Sequence, residues 1–347
     1  MIRNFIVLIA MGIMISACSS DDDGVLYVMT HDSFDISEEV LVEFEEQHNI
    51  VVNLLPAGDT GAALNQAILA RNDPLADVFF GVDNTFLSRA LDADIFVPYS
   101  KVDLKNISSE LILDESYRLI PVDFGDVCLN YDKEWFESNS LQPPHQLTDL
   151  TSAEYAGLLV VENPATSSPG LAFLLATIDS FGEEGDYTYL DFWRELREND
   201  MLVVDGWEEA YYSQFSASGE GDRPIVVSYA SSPTAEVVFA DPPVDEAPTA
   251  SVTGSGSCFR QIEFAGVLKG TKHQDVSEAF IDFILGTRFQ EDIPLHMFVF
   301  PANLSAKLPE VFIEWAELPK DPAQLDPDII DENRESWIEA WTDVVLR

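Results

Sequence analysis

The stretch ADVFFGVDN, residues 76–84, begins as an apolar run and ends in Gly, Asp and Asn. An apolar run of this length that is closed by a turn signal predicts a buried strand at 76–80, and the residues after it predict a helix at 85–91. Two similar units precede it, each a short apolar strand that leads through a polar or glycine-bearing loop into a helix. Their predicted strands and helices cover 25–29, 36–48, 50–55 and 62–70.

This alternation predicts an α/β fold with a mostly parallel sheet that is flanked by helices. In such sheets, ligands bind in the crevice beyond the carboxyl ends of the strands. The loops at those ends are therefore the first candidates for a binding site. Their polar and glycine residues are His31, Asp32 and Ser33, then Asp59, Thr60 and Gly61, then Asp83 and Asn84.

A second α/β series begins at the segment 121–125, which contains Asp123. The strands and helices predicted after it cover 127–131, 189–197, 202–204, 225–229, 258–268, 277–285 and 337–345. A stretch rich in Pro, Gly, Ser and Thr at 241–257 predicts a long surface loop. The second series is inserted within the first, which predicts a lobe of 25–122 with 264–347 and a lobe of 123–263, hinged by crossing strands. Ligands favour the cleft between two such lobes.

The N-terminus carries an export signal. An arginine precedes an apolar run at 5–15 that is too short to span a bilayer, and 15–18 reads Ile-Ser-Ala-Cys, which resembles a bacterial lipobox. This pattern predicts a lipoprotein signal peptide at 1–17, lipid on Cys18 and a polar tether at 18–24. The protein would then be extracytoplasmic and anchored to the cell membrane. An ordinary signal peptide with an incidental cysteine is the alternative.

The charge balance is strongly acidic. The 347 residues include 62 Asp and Glu against 18 Lys and Arg, which gives a formal net charge of −44. Because nucleic acids are bound by clustered basic side chains, this composition argues against a nucleic-acid partner. An acidic shell favours a soluble monomer. A saline habitat and an acidic surface without a specific role both explain the excess.

The cysteines suggest one disulfide. If Cys18 carries lipid, Cys128 and Cys258 remain in an oxidising compartment, where paired thiols are favoured. In the chain-entropy model, a bridge across about 130 residues removes on the order of 4 to 5 kcal/mol of loop-closure entropy from the unfolded chain. Two separate buried thiols are the alternative.

A hydroxyl-rich loop, NPATSSPG at 163–170, lies between a predicted strand and a predicted helix. The unpaired N–H groups at a helix start carry the positive end of the helix dipole, so Thr166 and Ser167 offer donors to an anion there. Serine and threonine also begin helices simply as N-caps. The loop alone leaves both interpretations open.

No enzymatic motif is present. The sequence has no nucleophile elbow, phosphate-binding loop or dinucleotide fingerprint, and its five histidines lack metal-ligand spacing. These features predict a binding protein rather than an enzyme, with no cofactor and no metal. A surface hydrolase or lectin-like module is the alternative from another class, and a hydrolase would need a base beside Ser231 or Ser232.

A series of short motifs carries a resemblance to one family. The motifs are Asp32-Ser33-Phe34, Gly58-Asp59, residues 81–84, NYDK at 130–133, SPGL at 168–171, GWEEAY at 206–211, SYASSP at 228–233 and FP at 300–301. In this order they resemble the thiamine-binding proteins of ABC importers, over residues 25–345. The resemblance implies the class II periplasmic binding fold, in which two hinged lobes close on a small molecule and deliver it to a membrane permease.

The resemblance also implies a ligand, thiamine or one of its phosphate esters, and a set of contacts. The positions that match phosphate contacts are Asp59, Thr60, Gly61, Ser167 and Trp207, and those that match aromatic contacts are Tyr229 and Phe298. A cationic thiazolium ring suits aromatic faces and carboxylates, and the carboxylates are Asp32, Asp83 and Asp123. The other candidates on the loops and motifs are His31, Ser33, Asn84, Thr166 and Ser232.

This sequence departs from the family at several aromatic positions. His31 and Ala235 stand where the family usually has tyrosine, Phe298 stands where it has tryptophan, and 36–39 lacks an expected tryptophan. About half of the aromatic cage is therefore altered. Trp207 and Tyr229 have lobe-core packing as their alternative role.

The nearest alternative within the fold is ferric iron binding, because related proteins use adjacent tyrosines as ligands and Tyr211 and Tyr212 are adjacent here. Consecutive residues on a helix do not face one another, however.

The positions of the two cysteines relative to the hinge also favour a bond between them. Cys128 follows one predicted crossing and Cys258 opens the return crossing. Neighbouring antiparallel strands would place the two sulfurs within bridging range and spare the hinge.

Overall fold

The structure, a computed structural model, describes residues 24–219 and 221–347. The predicted signal peptide at 1–17, the predicted lipid site Cys18 and most of the tether lie outside these residues. Within the described ranges, no helix is both long enough and apolar enough to cross a bilayer.

Eleven strands of the described residues form one mixed sheet. They are β1 (Val25–Thr30), β2 (Val51–Pro56), β3 (Val78–Asp83), β4 (Phe96–Val97), β5 (Ile120–Asp132), β6 (Leu159–Glu162), β7 (Leu202–Val204), β8 (Ile225–Tyr229), β9 (Thr249–Val252), β10 (Phe259–Leu268) and β11 (Phe300–Pro301).

Helices cover the sheet and connect its strands. They are α1 (Glu38–His48), α2 (Thr60–Leu69), α3 (Leu87–Asp92), α4 (Lys133–Asn139), α5 (Ser168–Phe181), α6 (Tyr189–Glu198), α7 (Trp207–Glu209), α8 (Ser232–Val238), α9 (Gln274–Ile284), α10 (Thr287–Gln290), α11 (Ile293–His296), α12 (Glu310–Trp315) and α13 (Pro327–Val345). A short π-helical turn at Ala210–Gln214 follows α7.

The order of the main strands is β2-β1-β3-β10-β5-β8-β6-β7. At one end β1 pairs in parallel with β2 and β3, and at the other β6 pairs in parallel with β7 and β8. All six residues of β3 are buried, as expected for a parallel strand that is covered on both faces. The predicted α/β fold with flanking helices is confirmed.

Two long antiparallel strands, β5 and β10, join the two ends of the sheet. β10 pairs with β3 on one side and with β5 on the other, and β5 continues to β8. The register of β10 shifts on both sides close to Glu263, between 264 and 265 against β3 and between 263 and 264 against β5. Such irregularities bend a strand and increase its twist, and here they mark the crossing between the lobes.

Each lobe has its own hydrophobic core. The first packs β1, β3 and β10 against α1, α2 and α9, with Phe44, Phe79 and Phe280 fully buried. The second packs β5, β6 and β8 against α5 and α6, with Phe173 and Trp193 at its centre. The burial of these large apolar side chains stabilises each lobe separately.

The C-terminal helix α13 corrects the predicted lobe boundaries. Trp337 and Trp341 lie in the second core, and the Trp341 ring meets the Trp193 ring edge-on, with centroids 5.5 Å apart. The prediction assigned all of 264–347 to the first lobe. Residues 327–345 return instead to the second lobe, because that core buries both indoles. The helix also starts well before the predicted residue 337. It begins at Pro327, after Asp326, whose side chain caps it by accepting the backbone N–H of Asp328.

The predicted surface loop at 241–257 is wrong in one part, because it contains β9. β10 pairs with β5 only as far as Val127, and β9 then pairs with β5 from Leu129 to Asp132 on that edge. The backbone N–H and C=O groups that β10 leaves unpaired on β5 thus form hydrogen bonds with β9, a strand whose sequence is typical of a loop.

The predicted disulfide between Cys128 and Cys258 is confirmed. Both cysteines are fully buried, and their Cα atoms lie 4.4 Å apart. The bond joins β5 to the residue before β10, next to the pair of Val127 and Phe259. It therefore ties neighbouring chain segments on the second-lobe side of the crossing.

Candidate functional site

Three carboxylates form a row across the crossing strands. Glu263 on β10 lies opposite Asp83 on β3 and opposite Asp123 on β5. Because directly opposed residues of antiparallel strands point to the same face of a sheet, the three side chains project together. Asp83 and Asp123 are fully buried.

His31 supplies a basic group beside this row. Its Nε2 lies 3.3 Å from Oε2 of Glu263, without the geometry of a hydrogen bond. Burial lowers the pKa of His31, but the charges of Glu263, Asp59 and Asp32 outweigh burial and raise it overall. Burial likewise raises the pKa of Glu263, and the charge of His31 outweighs it, so that this pKa falls. The two side chains therefore form an ion pair.

Gly81 allows His31 to lie against the sheet. A Cβ atom at this position would stand 2.5 Å from Cδ2 of His31, and the residue has a φ of +103°. Both the close approach and the backbone conformation require glycine. The glycine of the sequence-predicted turn thus positions a residue of the site.

Asp83 is held by donors from both lobes. It accepts hydrogen bonds from the backbone and hydroxyl of Thr85 at 2.7 and 2.5 Å, from Nε2 of Gln261 at 3.1 Å and from the Ser168 hydroxyl. Burial raises the pKa of Asp83 to about 6 against the lowering effect of Ser168 and Thr85. Since Ser168 begins α5 of the second lobe, these contacts close one lobe on the other.

Asp123 has no hydrogen-bond partner for either carboxylate oxygen among the described residues. Burial, and then the charge of Glu263, raise its pKa well above the usual range. A buried carboxyl group without a donor is costly, and few native side chains are left in that state. Asp123 is therefore protonated beside the Glu263 carboxylate, and a donor or a positive charge from a ligand would stabilise its ionised form.

A second unpartnered carboxyl group comes from the other lobe. Glu162 ends β6, is only 1% exposed, and has no hydrogen-bond partner for either Oε atom. Burial, and then the charge of Asp59, raise the pKa of Glu162 to about 8. Its main chain packs against Gly170 of α5, where a Cβ would stand 2.7 Å from the Glu162 carbonyl oxygen.

The hydroxyl-rich loop starts α5 as predicted. The Ser167 side chain is the N-cap and accepts the backbone N–H of Gly170 at 3.4 Å. The backbone N–H of Ser168 donates to Oδ2 of Asp59 in the first lobe at 3.2 Å, while Oδ1 of Asp59 caps α2 at the N–H of Thr60, at 2.6 Å. One carboxylate therefore joins the starts of two helices. Burial raises the pKa of Asp59 against these two hydrogen bonds.

Tyr229 provides an aromatic surface beside the carboxylates. Its hydroxyl donates to Oε1 of Gln261 at 3.0 Å, and the ring covers Gly125, where a Cβ would stand 2.8 Å from Cδ1 of the tyrosine. Burial, and then the charges of Glu263 and Asp59, raise its pKa well above the usual range. Tyr229 thus belongs to the boundary between the lobes as well as to the edge of the second core.

Trp207 lies in the second lobe and is half-buried. Its Nε1 donates to Oγ of Ser228 at 2.9 Å, and its ring stacks on that of Tyr211 with centroids 5.1 Å apart. The hydroxyl of Ser228 in turn contacts Oγ of Ser232 at 2.8 Å, and this oxygen accepts the backbone N–H of Tyr229. A chain of polar contacts therefore connects Trp207 to Tyr229.

Phe298 lies at the edge of this region in a left-handed backbone conformation, with φ of 54°. The Ser231 hydroxyl donates to its carbonyl oxygen at 2.5 Å, and its ring packs on Phe239 with centroids 5.4 Å apart. The next residue, Val299, contacts the same Gly125 position as Tyr229 does. This contact places the chain at 298–299 close to Tyr229 at the boundary between the lobes.

Other sequence-predicted site residues have internal roles. Asp32 is exposed and accepts the Gly58 N–H at 2.9 Å, and Ser33 is exposed beside it. The Asn84 side-chain amide donates to the carbonyl oxygen of Arg260 and accepts the backbone N–H of Ile262, both on β10. The Thr60 hydroxyl donates to the carbonyl oxygen of Gly81 at 2.9 Å. Gly61 packs against Phe86, and exposed Thr166 donates to Asp205 O at 2.7 Å.

Sequence reasoning missed three residues that the structure brings to the boundary between the lobes: Glu162, Gln261 and Glu263. Ser168, which also lies there, belongs to the hydroxyl-rich loop that the sequence had singled out. Gln261 and Glu263 alternate along an otherwise apolar strand, which marks one polar face. Glu162 is an acidic residue at the end of an apolar run, directly before the hydroxyl-rich loop. A polar residue within or at the end of an otherwise apolar run was therefore the sequence signal that could have identified these site residues.

Residues 73–324 match the family model of bacterial extracellular solute-binding proteins. The chain belongs to this family. The chain is 28% identical over 322 residues to the thiamine-binding periplasmic protein of Brucella suis, an alignment that covers 91% of this solute-binding protein and 90% of that protein. The predicted resemblance to thiamine-binding periplasmic proteins is thus confirmed.

Solved structures agree on the fold. A periplasmic thiamin-binding protein superposes with a TM-score of 0.81 at 26% identity, covering 93% of this solute-binding protein and 96% of that chain. A ferric binding protein from Campylobacter jejuni superposes with a TM-score of 0.72 at 17% identity, covering 92% and 99% of the two chains. At that identity the second likeness shows the fold alone. The relatives named here are binding proteins.

The adjacent tyrosines of this solute-binding protein do not converge. Tyr211 is buried and donates to Glu236 at 2.8 Å, whereas Tyr212 is 55% exposed, and their rings are nearly perpendicular. In the described residues, no group of three or more His, Cys, Asp or Glu side chains is arranged to hold a metal ion. The two tyrosines that suggested the ferric iron alternative therefore do not point to one position.

Proposed function

We propose that this protein captures thiamine in the cleft between its lobes and delivers it to the permease of an ABC importer. The observation that carries the proposal is the row of Asp83, Glu263 and Asp123 on strands that cross between the lobes, with Asp83 and Asp123 fully buried and with Tyr229 bonded to Gln261 on the same strand as Glu263. The close relatives of this chain are thiamine-binding proteins, which supports the same ligand.

The chemistry of the ligand suits the cleft. Thiamine has a cationic thiazolium ring, which favours carboxylates and aromatic faces, and an aminopyrimidine whose amino group donates hydrogen bonds. Within residues 24–219 and 221–347, Asp123 and Glu162 are the buried carboxyl groups whose oxygens have no hydrogen-bond partner. A bound cation with N–H donors would satisfy them and offset the cost of their burial.

Capture requires the lobes to separate and close again. In the described conformation they touch through Ser168, which meets Asp59 and Asp83 of the first lobe and Gln261 of the crossing strand. We expect these contacts to break for ligand entry and to reform around the ligand, so that the closed form presents one surface to the permease. No bond of the ligand is made or broken in this cycle.

The membrane anchor is part of the proposal. The lipobox-like sequence before Cys18 supports cleavage after residue 17 and acylation of the cysteine, which would keep this extracytoplasmic protein near its permease. Metabolic labelling with a fatty acid tests it, because a Cys18→Ser variant should lose the label. Label retained in that variant would contradict the anchor.

A surface hydrolase is the weaker candidate. The Ser231 hydroxyl donates to a carbonyl oxygen, and Ser232 contacts Ser228 and the Tyr229 N–H. Among the described residues, neither hydroxyl hydrogen-bonds a histidine, so neither has the base that a nucleophile needs.

Calorimetry with thiamine tests the binding function. The purified protein should bind with a dissociation constant of about 1 μM or below, and Asp123→Asn should weaken binding by about tenfold or more, because asparagine cannot ionise and so cannot offer the carboxylate that a bound cation would stabilise. Asp73→Asn, which removes an exposed charge from the same lobe, is the matched control. Absence of thiamine binding to the wild type would overturn the proposal.

A further inference from the structure

Asp123 lies between two strands that offer it no donor. Glu263 of β10 is directly opposite on one side, and Pro301 of β11 is directly opposite on the other. A proline has neither a backbone N–H nor a polar side chain. On the same face of β5, two residues further along, Gly125 adds no side chain. Asp123 is fully buried, and among the described residues neither of its carboxylate oxygens has a hydrogen-bond partner.

A second aspartate on β5 shows how a buried carboxylate is normally held. Asp126 is also buried, and Nε and Nη2 of Arg260 donate to its two oxygens at 2.9 and 2.8 Å. Arg260 lies opposite Asp126 in the same register that places Glu263 opposite Asp123. The residue opposite Asp126 is therefore a cation, whereas the residue opposite Asp123 is another acid.

Two buried acids in this arrangement hold one proton between them. Like charges directly opposite one another on neighbouring strands are unfavourable, and burial without a donor adds to the cost of ionisation. His31, whose Nε2 is 3.3 Å from Oε2 of Glu263, favours the ionised form of Glu263, so the proton resides on Asp123. In agreement, burial and then the charge of Glu263 raise the pKa of Asp123.

We infer that capture of the cationic ligand expels this proton from Asp123, so that the site exchanges a proton for the cation. The inference rests on the proposed function and adds a proton to its binding reaction. The O–H bond of the Asp123 carboxyl group breaks, the proton passes to water, and the carboxylate that remains pairs with the ligand. Because Asp123 is fully buried in the described conformation, the proton leaves before the lobes have closed.

The exchange makes affinity depend on pH. Below the pKa of Asp123 in the ligand-free protein, protons compete with the cation, so the affinity rises with pH by about tenfold per unit when one proton is released. Above that pKa the carboxyl group is already ionised, and its contribution no longer changes. The other ionisable groups of the row are His31 and Asp83, both beside Glu263, and Glu162 is a separate buried carboxyl group in the second lobe.

Calorimetry of thiamine binding in buffers of different ionisation enthalpy tests the inference, because the measured heat then reports the number of protons released. The wild type should release about one proton or more per thiamine at about pH 7, and Asp123→Asn should release about one fewer. Since this variant keeps every other ionisable group of the row, the ratio of its dissociation constant to that of the wild type should increase with pH. Asp73→Asn, which removes an exposed charge from the first lobe, should release as many protons as the wild type.

The outcomes separate the two claims. Thiamine binding by the wild type without proton release would overturn the inference and leave thiamine capture standing. Equal release by the wild type and Asp123→Asn would overturn the role of Asp123. If thiamine does not bind the wild type, the proposed function fails and the inference fails with it.

An infrared difference spectrum decides the matter if Asp123→Asn fails to fold, as judged by its melting curve. Binding of thiamine should remove the band of a protonated carboxyl group both in the wild type and in Glu162→Gln, because the proton of Asp123 is present in both. Loss of the band in the wild type alone would assign the proton to Glu162 and overturn the inference.

Discussion

Nε2 of His31 lies 3.3 Å from Oε2 of Glu263, and this pair joins the end of β1 to the crossing strand β10. Glu263 also lies opposite Asp83 and Asp123, so one imidazole is the only basic group in contact with a row of three carboxyl groups within the described residues. At neutral pH Asp83 and Glu263 are ionised, so the row keeps an excess of negative charge even when His31 is protonated. Such a row favours a cationic ligand.

The His31–Glu263 pair can be tested by titration. Glu263→Gln removes the largest influence that raises the His31 pKa, so burial should lower that pKa relative to the wild type. The signals of the imidazole in NMR spectra recorded against pH report the value directly. The control is Glu198→Gln, which should leave the titration unchanged.

The same pair predicts a pH dependence of stability. Because the folded-state pKa of His31 is raised, its contribution is fully present below the unfolded value of about 6.5 and is lost as the pH rises through the folded value. In Glu263→Gln this contribution should be absent, so the fall in melting temperature above about pH 6.5 should be smaller. An unchanged slope would show that the two side chains are not coupled.

Tyr229 is the aromatic side chain that we expect to face the thiazolium ring. Tyr229→Ala should weaken thiamine binding by about 30-fold, which corresponds to a cation–π contact of about 2 kcal/mol at a desolvated site. Tyr229→Phe keeps the ring and loses only the hydrogen bond to Gln261, so it should bind within about threefold of the wild type. Calorimetry distinguishes these results. Equal losses in both variants would show that the hydroxyl, not the ring, matters.

Strand ends were the part of the site that the sequence predicted well. The strand predicted at 76–80 is β3 at Val78–Asp83, so residues 81–83, which were predicted as a turn, continue the strand. The change from apolar to polar residues nevertheless led to Asp83, and the same rule led to His31 and Asp59. These residues follow a local apolar-to-polar change, which is visible in one segment of chain. They all lie at the boundary between the lobes in the structure.

Long-range pairing was the part that the sequence did not predict. Glu263 enters the site because β10 crosses between β3 and β5, and no local pattern specifies that register. The prediction assigned α13 to the wrong lobe for the same reason, because no local pattern specifies which distant segment the helix packs against. Its amphipathic pattern indicated a buried face but not the core that buries it.

The disulfide between Cys128 and Cys258 should be formed in the folded protein. In a Cys18→Ala variant, the denatured and unreduced chain should show no free thiol, because the two remaining cysteines are bonded and fully buried in the fold. A Cys128→Ala/Cys258→Ala chain should lose about 2 to 5 kcal/mol of stability in chemical denaturation. Thiamine affinity should change little, since the bond lies on the second-lobe side of the crossing. Two free thiols per denatured chain would contradict this.

Glu162 should make the ligand-free protein less stable as the pH rises. Burial raises its folded-state pKa to about 8 from the ordinary value of 4.5, so between these two pH values the folded state binds a proton that the unfolded state releases. The loss amounts to about 1.4 kcal/mol for each unit of pKa shift, and it is complete above about pH 8. Glu162→Gln cannot ionise, so its melting temperature should exceed that of the wild type at about pH 9 and approach it at about pH 5. Glu198→Gln should follow the wild type at both values, because that carboxyl group is exposed.

Saturating thiamine should narrow the difference in melting temperature between Glu162→Gln and the wild type at high pH, since a bound cation stabilises the ionised carboxylate. If thiamine leaves this difference in melting temperature unchanged, Glu162 lies away from the bound molecule.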